Sequence, residues 1–480
     1  MKDKARGHWL ILILLALAQF MVVLDVSIVN VALPVLQRSL HLSATNLQWI
    51  VTAYTLAFGG FLLLGGRAAD LYGRRKVFLA GVVFFMAASL ADGLAFNGNM
   101  LIFLRGVQGL AAAFMSPAAL SIVLTTYREG HERNIALSVW GAVAAGGAAV
   151  GVLLGGLLTE YLGWRWNFFI NVPIGLAVLI GAWRLVPKHE SEETHNDLDL
   201  PGAVTVTAGL MLLVYGLVKA PLYGWASGKT MMFLGGAAIL LVAFIINEKR
   251  AKNPLVPFSI FKIRNVTGAD LTQLPLAAAM FSTFYFTSIY LQNVLGYSPV
   301  RTGLSFLTIP VVLAAAASNA PKLIAKIGYK KILMFAPLLV AAALFWMGRV
   351  PVHGNYWTDI FPAFVVLAIG MGFTFVSVTV AATSGVPGRQ SGLASGLLNT
   401  AQQIGGSLGL AVLSGLAASA TTRYFMHSPG SPAAALVHGF HTAFYVGSTF
   451  AVGAAVLAVF IIKEHKGTPA KPAASEAAVL

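Results

Sequence analysis

Long apolar runs separated by short polar breaks fill this chain from end to end. About 20 apolar residues in a helix cross the hydrocarbon core of a bilayer. Fourteen such runs can be read, at 9–34, 48–68, 77–96, 101–125, 136–158, 168–187 and 201–219, then 231–247, 266–292, 302–321, 333–350, 358–381, 397–420 and 440–462. A spanning segment must satisfy its own backbone hydrogen bonds in lipid, which a helix does. The pattern therefore predicts an all-α polytopic membrane protein. Three breaks are longer: an acidic one at 188–199, a basic one at 248–264 with Pro254 and Pro257, and 421–439, rich in Ser, Pro, Gly and Ala. The residues after Lys463 are expected to form a disordered tail.

One acid interrupts the first run. A carboxylate at such depth costs about 2.5–3.5 kcal/mol on insertion scales, and groups of this kind usually face a bundle interior or an aqueous cavity and move protons or ions. Asp25 lies about 24 Å along the run from Trp9 at 1.5 Å per residue, which predicts a place in the outer half of the bilayer. Arg105 enters the fourth run from that side, so the two are expected at similar depth. A permanent ion pair would hinder protonation of Asp25, so an Arg105 that takes the carboxylate only in some states fits better. The alternative for Arg105 is a side chain snorkelling to the outer rim.

Composition supports the membrane reading. Hydrophobic residues make up 58% of the 480 and charged ones 10%, against about 25% charged in soluble domains. The 49 glycines suit helices packed backbone to backbone, and without cysteine there is no disulfide or Cys-ligated metal. The net charge of +15 follows topology. With the N-terminus inside, most Lys and Arg fall on inner ends, including Arg67, Arg74–Lys76, Lys249–Lys252, Lys322–Lys331 and Lys463. The outer side holds Arg38, Arg165, Lys219, Lys229, Arg301, Arg349 and Arg423. Both termini are expected in the cytoplasm, and nucleic acid is excluded as a partner. The first run is too long, and too acidic at Asp25, for a cleavable signal.

The loop Arg67–Lys76 (RAADLYGRRK) is repeated weakly as Lys322–Lys331 (KLIAKIGYKK), with Gly73 opposite Gly328 and Asp70 opposite Ala325. Two homologous halves follow, in the manner of secondary transporters. The expected division is a six-helix half at 1–187, a loop and inserted hairpin at 188–265, a second six-helix half at 266–463 and a tail at 464–480.

The segment Gly66–Lys76 resembles the loop motif of the major facilitator superfamily. Leu24–Pro34 (LDVSIVNVALP) is similar to the first-span motif of its fourteen-span drug:proton antiporters. Gln48-Trp49, Leu104-Arg105 through Gln108-Gly109, Gly163–Trp166 through Asn171–Pro173, and Leu398–Thr400 through Gly405-Gly406 resemble the same family. The resemblance implies a fourteen-helix major facilitator fold, Asp25 as proton-coupling site, Arg105 in a proton relay, and Asp70 and Arg74 around Gly73 as a latch between halves. Gly151 and Gly155 occupy the antiporter motif of the fifth span, although Val152 stands where the family has proline. Packing alone would also account for these glycines.

Uncharged polar residues in the spans supply candidates for a substrate cavity: Asn30, Gln108, Asn171, Asn399 and Gln403, with Tyr285. Asp270 is expected at the rim of a helix N-terminus, and Asp92 and Glu160 are expected to be solvated at outer ends. No metal-ligand spacing, phosphate loop or hydrolase constellation is found, so the expectation is a non-enzyme without cofactor. The function expected is proton-coupled export of hydrophobic, neutral or monocationic small molecules by a monomer in the cell membrane, in contact with lipid. Asp25, as the sole deep acid, would serve dications poorly. A proton-coupled importer of a metabolite, a non-transporting sensor, and an exporter working with a periplasmic adaptor share these features.

Overall fold

The structure is a computed structural model that describes residues 2–127, 130–187, 198–387, 390–427 and 431–464. Among them fourteen helices are long and apolar enough to cross a membrane. They are α1 (Trp9–Ser39), α2 (Thr45–Tyr72), α3 (Arg74–Gly93), α4 (Gly98–Thr126), α5 (Ile135–Tyr161), α6 (Trp166–Leu185) and α7 (Leu200–Ala220). The remainder are α8 (Gly228–Arg250), α9 (Arg264–Val294), α10 (Pro299–Ile327), α11 (Tyr329–Met347), α12 (Tyr356–Thr383), α13 (Ser391–His427) and α14 (Pro432–Ile461). Every run read from the sequence has its helix. Most of the acidic break and nearly all of the tail lie outside the described residues. Glu464, the first residue assigned to that tail, instead caps α11: its carboxylate accepts the Tyr329 and Lys330 amides at 3.1 and 3.2 Å. An acid is favoured at the amide end of a helix.

Helices α1–α6 pack among themselves, as do α9–α14. The pair α7–α8 pack on each other, and α7 leans on α2 and α13. This is the two-half plan with an inserted hairpin. The repeated loop is repeated in conformation as well. Gly73 (φ 95°) and Gly328 (φ 85°) turn the chain from α2 into α3 and from α10 into α11. That left-handed region is open to glycine and costly for residues with a Cβ.

The halves meet at the end of the bundle opposite these basic loops. There Ser288 Oγ donates to the carbonyl of Asn30, and Gln292 Nε2 to that of Val31, both at 2.7 Å. The carboxylate of Glu160 accepts the Val300 amide at 2.8 Å, so this exposed acid bridges α5 and α10 instead of standing free in solvent. Nearer the middle, the Thr55 and Ser407 hydroxyls pair at 2.6 Å between α2 and α13.

Helix α5 is the wedge between α1 and the second half. A Cβ on Gly151 would stand 2.6 Å from Ser27 Cβ, and one on Gly155 would stand 2.8 Å from the Ile28 carbonyl oxygen. On another face, Gly156 lies against the backbone of Pro299 in α10. Small residues let these helix backbones touch. The packing reading of the glycines thus has a direct structural basis. Gly155→Val should force α1 and α5 apart and destabilise the protein by about 1–3 kcal/mol. Thermal unfolding in detergent should register this as a lower Tm, whereas Gly141→Ala, with open space at its Cβ position, should leave Tm unchanged or slightly raised.

Candidate functional site

Asp25 is fully buried, with 0% of its surface exposed, and Arg105 is 1% exposed. Helix α1 runs on to Ser39, so Asp25 lies near its middle, about 24 Å from Trp9 and about 21 Å from Ser39. Arg105 NH1 donates to Asp25 Oδ2 at 2.5 Å. Gln108 Nε2 and Asn171 Nδ2 donate to Asp25 Oδ1 at 2.9 and 3.0 Å. The carboxylate therefore receives three donors from two other helices.

Local sequence explains the convergence. Arg105 and Gln108 are three residues apart on one face of α4, and Arg105 NH1 also reaches Gln108 Oε1 at 2.5 Å. Gly109, next in line, lets α4 press on α2; a Cβ there would stand 2.2 Å from the carbonyl oxygen of Tyr54. That approach brings Arg105 Nε to the Ile50 carbonyl at 3.1 Å and its guanidinium over the Tyr54 ring at 4.4 Å. Stacking and hydrogen bonding together hold a cation that lipid would not solvate. Asn171 is delivered by the turn between α5 and α6. There Trp164 Nε1 donates to Ser39 Oγ at 3.0 Å, and Asn167 Nδ2 to Thr159 Oγ1 at 2.7 Å.

The cluster continues into α3. Asn171 Nδ2 also donates to Ser89 Oγ at 2.9 Å, and Ser89 donates to the Phe168 carbonyl at 2.9 Å. One turn beyond Ser89 lies Asp92, fully buried at 0% exposed. The expectation that Asp92 is solvated is wrong: its helix end is covered by the α5–α6 turn, where Phe169 lies against Gly93. The expectation for Asp270 also fails. Helix α9 begins at Arg264, so Asp270 lies more than a turn inside it and is buried, at 8% exposed. Asp25 is thus not the only buried acid among the helices.

The remaining candidates separate. Gln108 and Asn171, assigned to a substrate cavity, are buried ligands of Asp25 instead. Asn30 turns back on its own helix, donating to the Val26 carbonyl at 2.9 Å. Tyr285 is buried with its ring edge-on to Phe286. Asn399 is exposed on α13, and Gln403 on the same helix covers Gly59 of α2. Arg74 donates to Asp70 Oδ1 at 3.4 Å within the first half, at the basic end. Sequence reasoning missed Tyr54, Ser89 and Asp92. The three-residue spacing of Ser89 and Asp92, in the hairpin that carries Arg105, was the available signal.

The Major Facilitator Superfamily model matches residues 15–410. The chain belongs to the major facilitator superfamily. Its members here are membrane transporters and not enzymes. It is 40% identical over 458 residues to the puromycin resistance protein of Streptomyces alboniger, covering 94% of this chain and 90% of that one. It is 36% identical over 461 residues to the cephamycin export protein of Amycolatopsis lactamdurans, covering 95% and 93%. A multidrug resistance protein of Mycobacterium tuberculosis is 33% identical over 417 residues, 86% of this chain and 76% of that one. Among solved structures, a bacterial homologue of the human lysosomal transporter Spinster superposes with a TM-score of 0.69 at 16% identity, covering 94% of this chain and 96% of that one. A D-xylose–proton symporter gives 0.66 at 14%, covering 96% and 99%. These two likenesses concern the fold.

Removing one partner of a buried ion pair leaves an uncompensated charge, which costs about 3–5 kcal/mol. Arg105→Ala should therefore lower stability by that amount in chemical unfolding. The double variant with Asp25→Asn, which removes the stranded charge, should recover much of the loss.

Proposed function

We propose that this transporter exports hydrophobic small molecules, neutral or monocationic, in exchange for protons. The observation that carries the reading is the enclosed Asp25–Arg105 pair, an acid–base couple deep in an apolar helix bundle. The relatives, a puromycin resistance protein and a cephamycin export protein among them, support drug efflux as the direction. The charge distribution supports a cytoplasmic basic end with both termini there. On that orientation, the hydrogen bonds of α9 to α1 close the outer side, and alternating access would exchange this closure for one at the Asp70–Arg74 loop.

In this reading Asp25 takes up a proton from outside, which frees Arg105, and gives it up inside. Gly151 and Gly155, seated on the stretch of α1 that flanks Asp25, would pass the resulting shift of α1 to α5 and so to α10. The substrate would bind between the halves, where Asn399 and Gln403 of α13 offer polar groups. A monomer suffices for all of this.

The energetics set limits. One charge crossing 100 mV yields about 2.3 kcal/mol, and one pH unit about 1.4. One proton exchanged for a neutral molecule draws on both, about 3.7 kcal/mol, or several hundredfold of gradient. One proton for one monocation moves no net charge and draws on the pH difference alone. For a dication the potential opposes a one-proton exchange.

Puromycin added to the purified protein should release protons from the wild type and none from Asp25→Asn; efflux undiminished in Asp25→Asn would sink the proposal. In proteoliposomes with a fixed pH difference, collapsing the membrane potential should lower the steady-state gradient of neutral chloramphenicol. The gradient of a monocation that does not cross lipid unaided should stay unchanged.

A further inference from the structure

Asp92 is the one member of the buried cluster for which the Asp25–Arg105 exchange leaves no role. Among the described residues, neither of its carboxylate oxygens has a hydrogen-bond partner, although both are sealed from solvent. An ionised carboxylate in that state would be prohibitively costly; the neutral acid is tolerable. Yet Asp92 is no isolated group. It lies within Coulombic range of both Arg105 and Asp25, one helical turn from Ser89, which bonds to Asn171 and through it to Asp25. The helices packed against this part of α3 bring it Arg105 from α4 and Tyr54 from α2, while Arg165 at the α5–α6 turn is engaged by the Ala95 carbonyl.

The charges in this cluster amount to one guanidinium and two carboxyl groups. With one proton the cluster is neutral, and that proton can reside on either acid. Protonating Asp25 alone would strand the buried guanidinium of Arg105, at the cost that breaking a buried pair always carries. An ionised Asp92 removes that cost.

Resting on the proton-coupled reading above, we propose that Asp92 is the second proton station of the site and the alternate partner of Arg105. In the arrangement seen, Asp25 is the anion paired with Arg105 and Asp92 holds the proton on its carboxyl oxygen. In the alternate arrangement the Asp92 O–H bond is broken, the proton is bound to Asp25, and the guanidinium has turned from Asp25 to the Asp92 carboxylate. Net charge is the same in both. Asp92 stands in the last turn of α3, at the end of the bundle away from the basic loops, which suits it to receive protons on the outer side and Asp25 to release them on the inner side. Each cycle then admits one proton at Asp92 and discharges one from Asp25.

Infrared spectra of the substrate-free full-length protein in lipid nanodiscs test this directly. At neutral pH the wild type should show a protonated-carboxyl band that Asp92→Asn removes. The same component should vanish in Asp25→Asn, because Arg105 then draws Asp92 into its ionised form. A purely structural neutral acid would keep its band in Asp25→Asn, and that result would overturn the proposal, as would a wild type lacking the Asp92 component. Asp92→Glu, which keeps the group, should displace the band without abolishing it, and it carries the assignment if Asp92→Asn does not fold. The pH midpoint of puromycin-induced proton release should also move to lower pH in Asp92→Asn by about one unit or more, since Asp25 then competes alone for Arg105. An unmoved midpoint overturns Asp92 as a station while leaving the coupling through Asp25 intact. Absence of proton release from the wild type overturns the coupling itself, and the proton-station role with it.

Discussion

A guanidinium buried in an apolar bundle has no low-energy state without a partner, and much of the first half of this protein is arranged around that constraint. Arg105 donates to Asp25 from α4, leans on Tyr54 and bonds to Ile50 of α2, while Asn171 of α6 completes the shell. The bonds to Asp25 tie α4 and α6 to α1, and the contacts with Ile50 and Tyr54 tie α4 to α2, so the pair sets their relative register as well as its own charge. Losing either charge would leave the other without compensation in a medium that cannot supply it. Close backbone contact makes the geometry possible, through Gly109 against α2 and through Gly151 and Gly155 against α1.

The position of the pair has a mechanical consequence. It lies inside the first half, not in the seam between halves. The hydrogen bonds across the seam involve hydroxyls, amides and backbone, with the Glu160 carboxylate on the Val300 amide at the rim, beside an apolar cluster shared by both halves. Bonds of that kind contribute modestly each and apolar contact is non-directional, so such a seam can open and close. The charged core is much costlier to disturb. In the proposed mechanism a change of protonation there acts on α1, and α5 carries the displacement to α10 because its small residues face both. A stiff charged core and a loosely bonded seam are complementary requirements for rocking one half against the other.

The helices themselves were legible in the sequence because bilayer thickness imposes a length on every apolar run, and all fourteen runs have a helix. The repeated Gly73 and Gly328 turns were legible because positive φ selects glycine. Depth was less legible. The first run read from the sequence stops at Pro34, yet α1 continues to Ser39 and puts Asp25 near its middle. A proline restricts a helix more weakly in lipid, where neighbouring helices re-satisfy the backbone.

Sequence alone determined that this is a fourteen-helix membrane protein with an acid and a base inside it, since hydropathy and charge are properties of single residues summed along one direction. Which polar residues face one another was decided by tertiary structure. Gln108 and Asn171 read as cavity-lining amides and prove to be ligands of Asp25. Asp92 reads as a solvated end residue and proves to be buried. Burial at a helix end depends on what the adjoining turn covers, and here the turn between α5 and α6, far away in sequence, folds over α3. No one-dimensional pattern carries that information, because it depends on how helices rotate and pack in three dimensions.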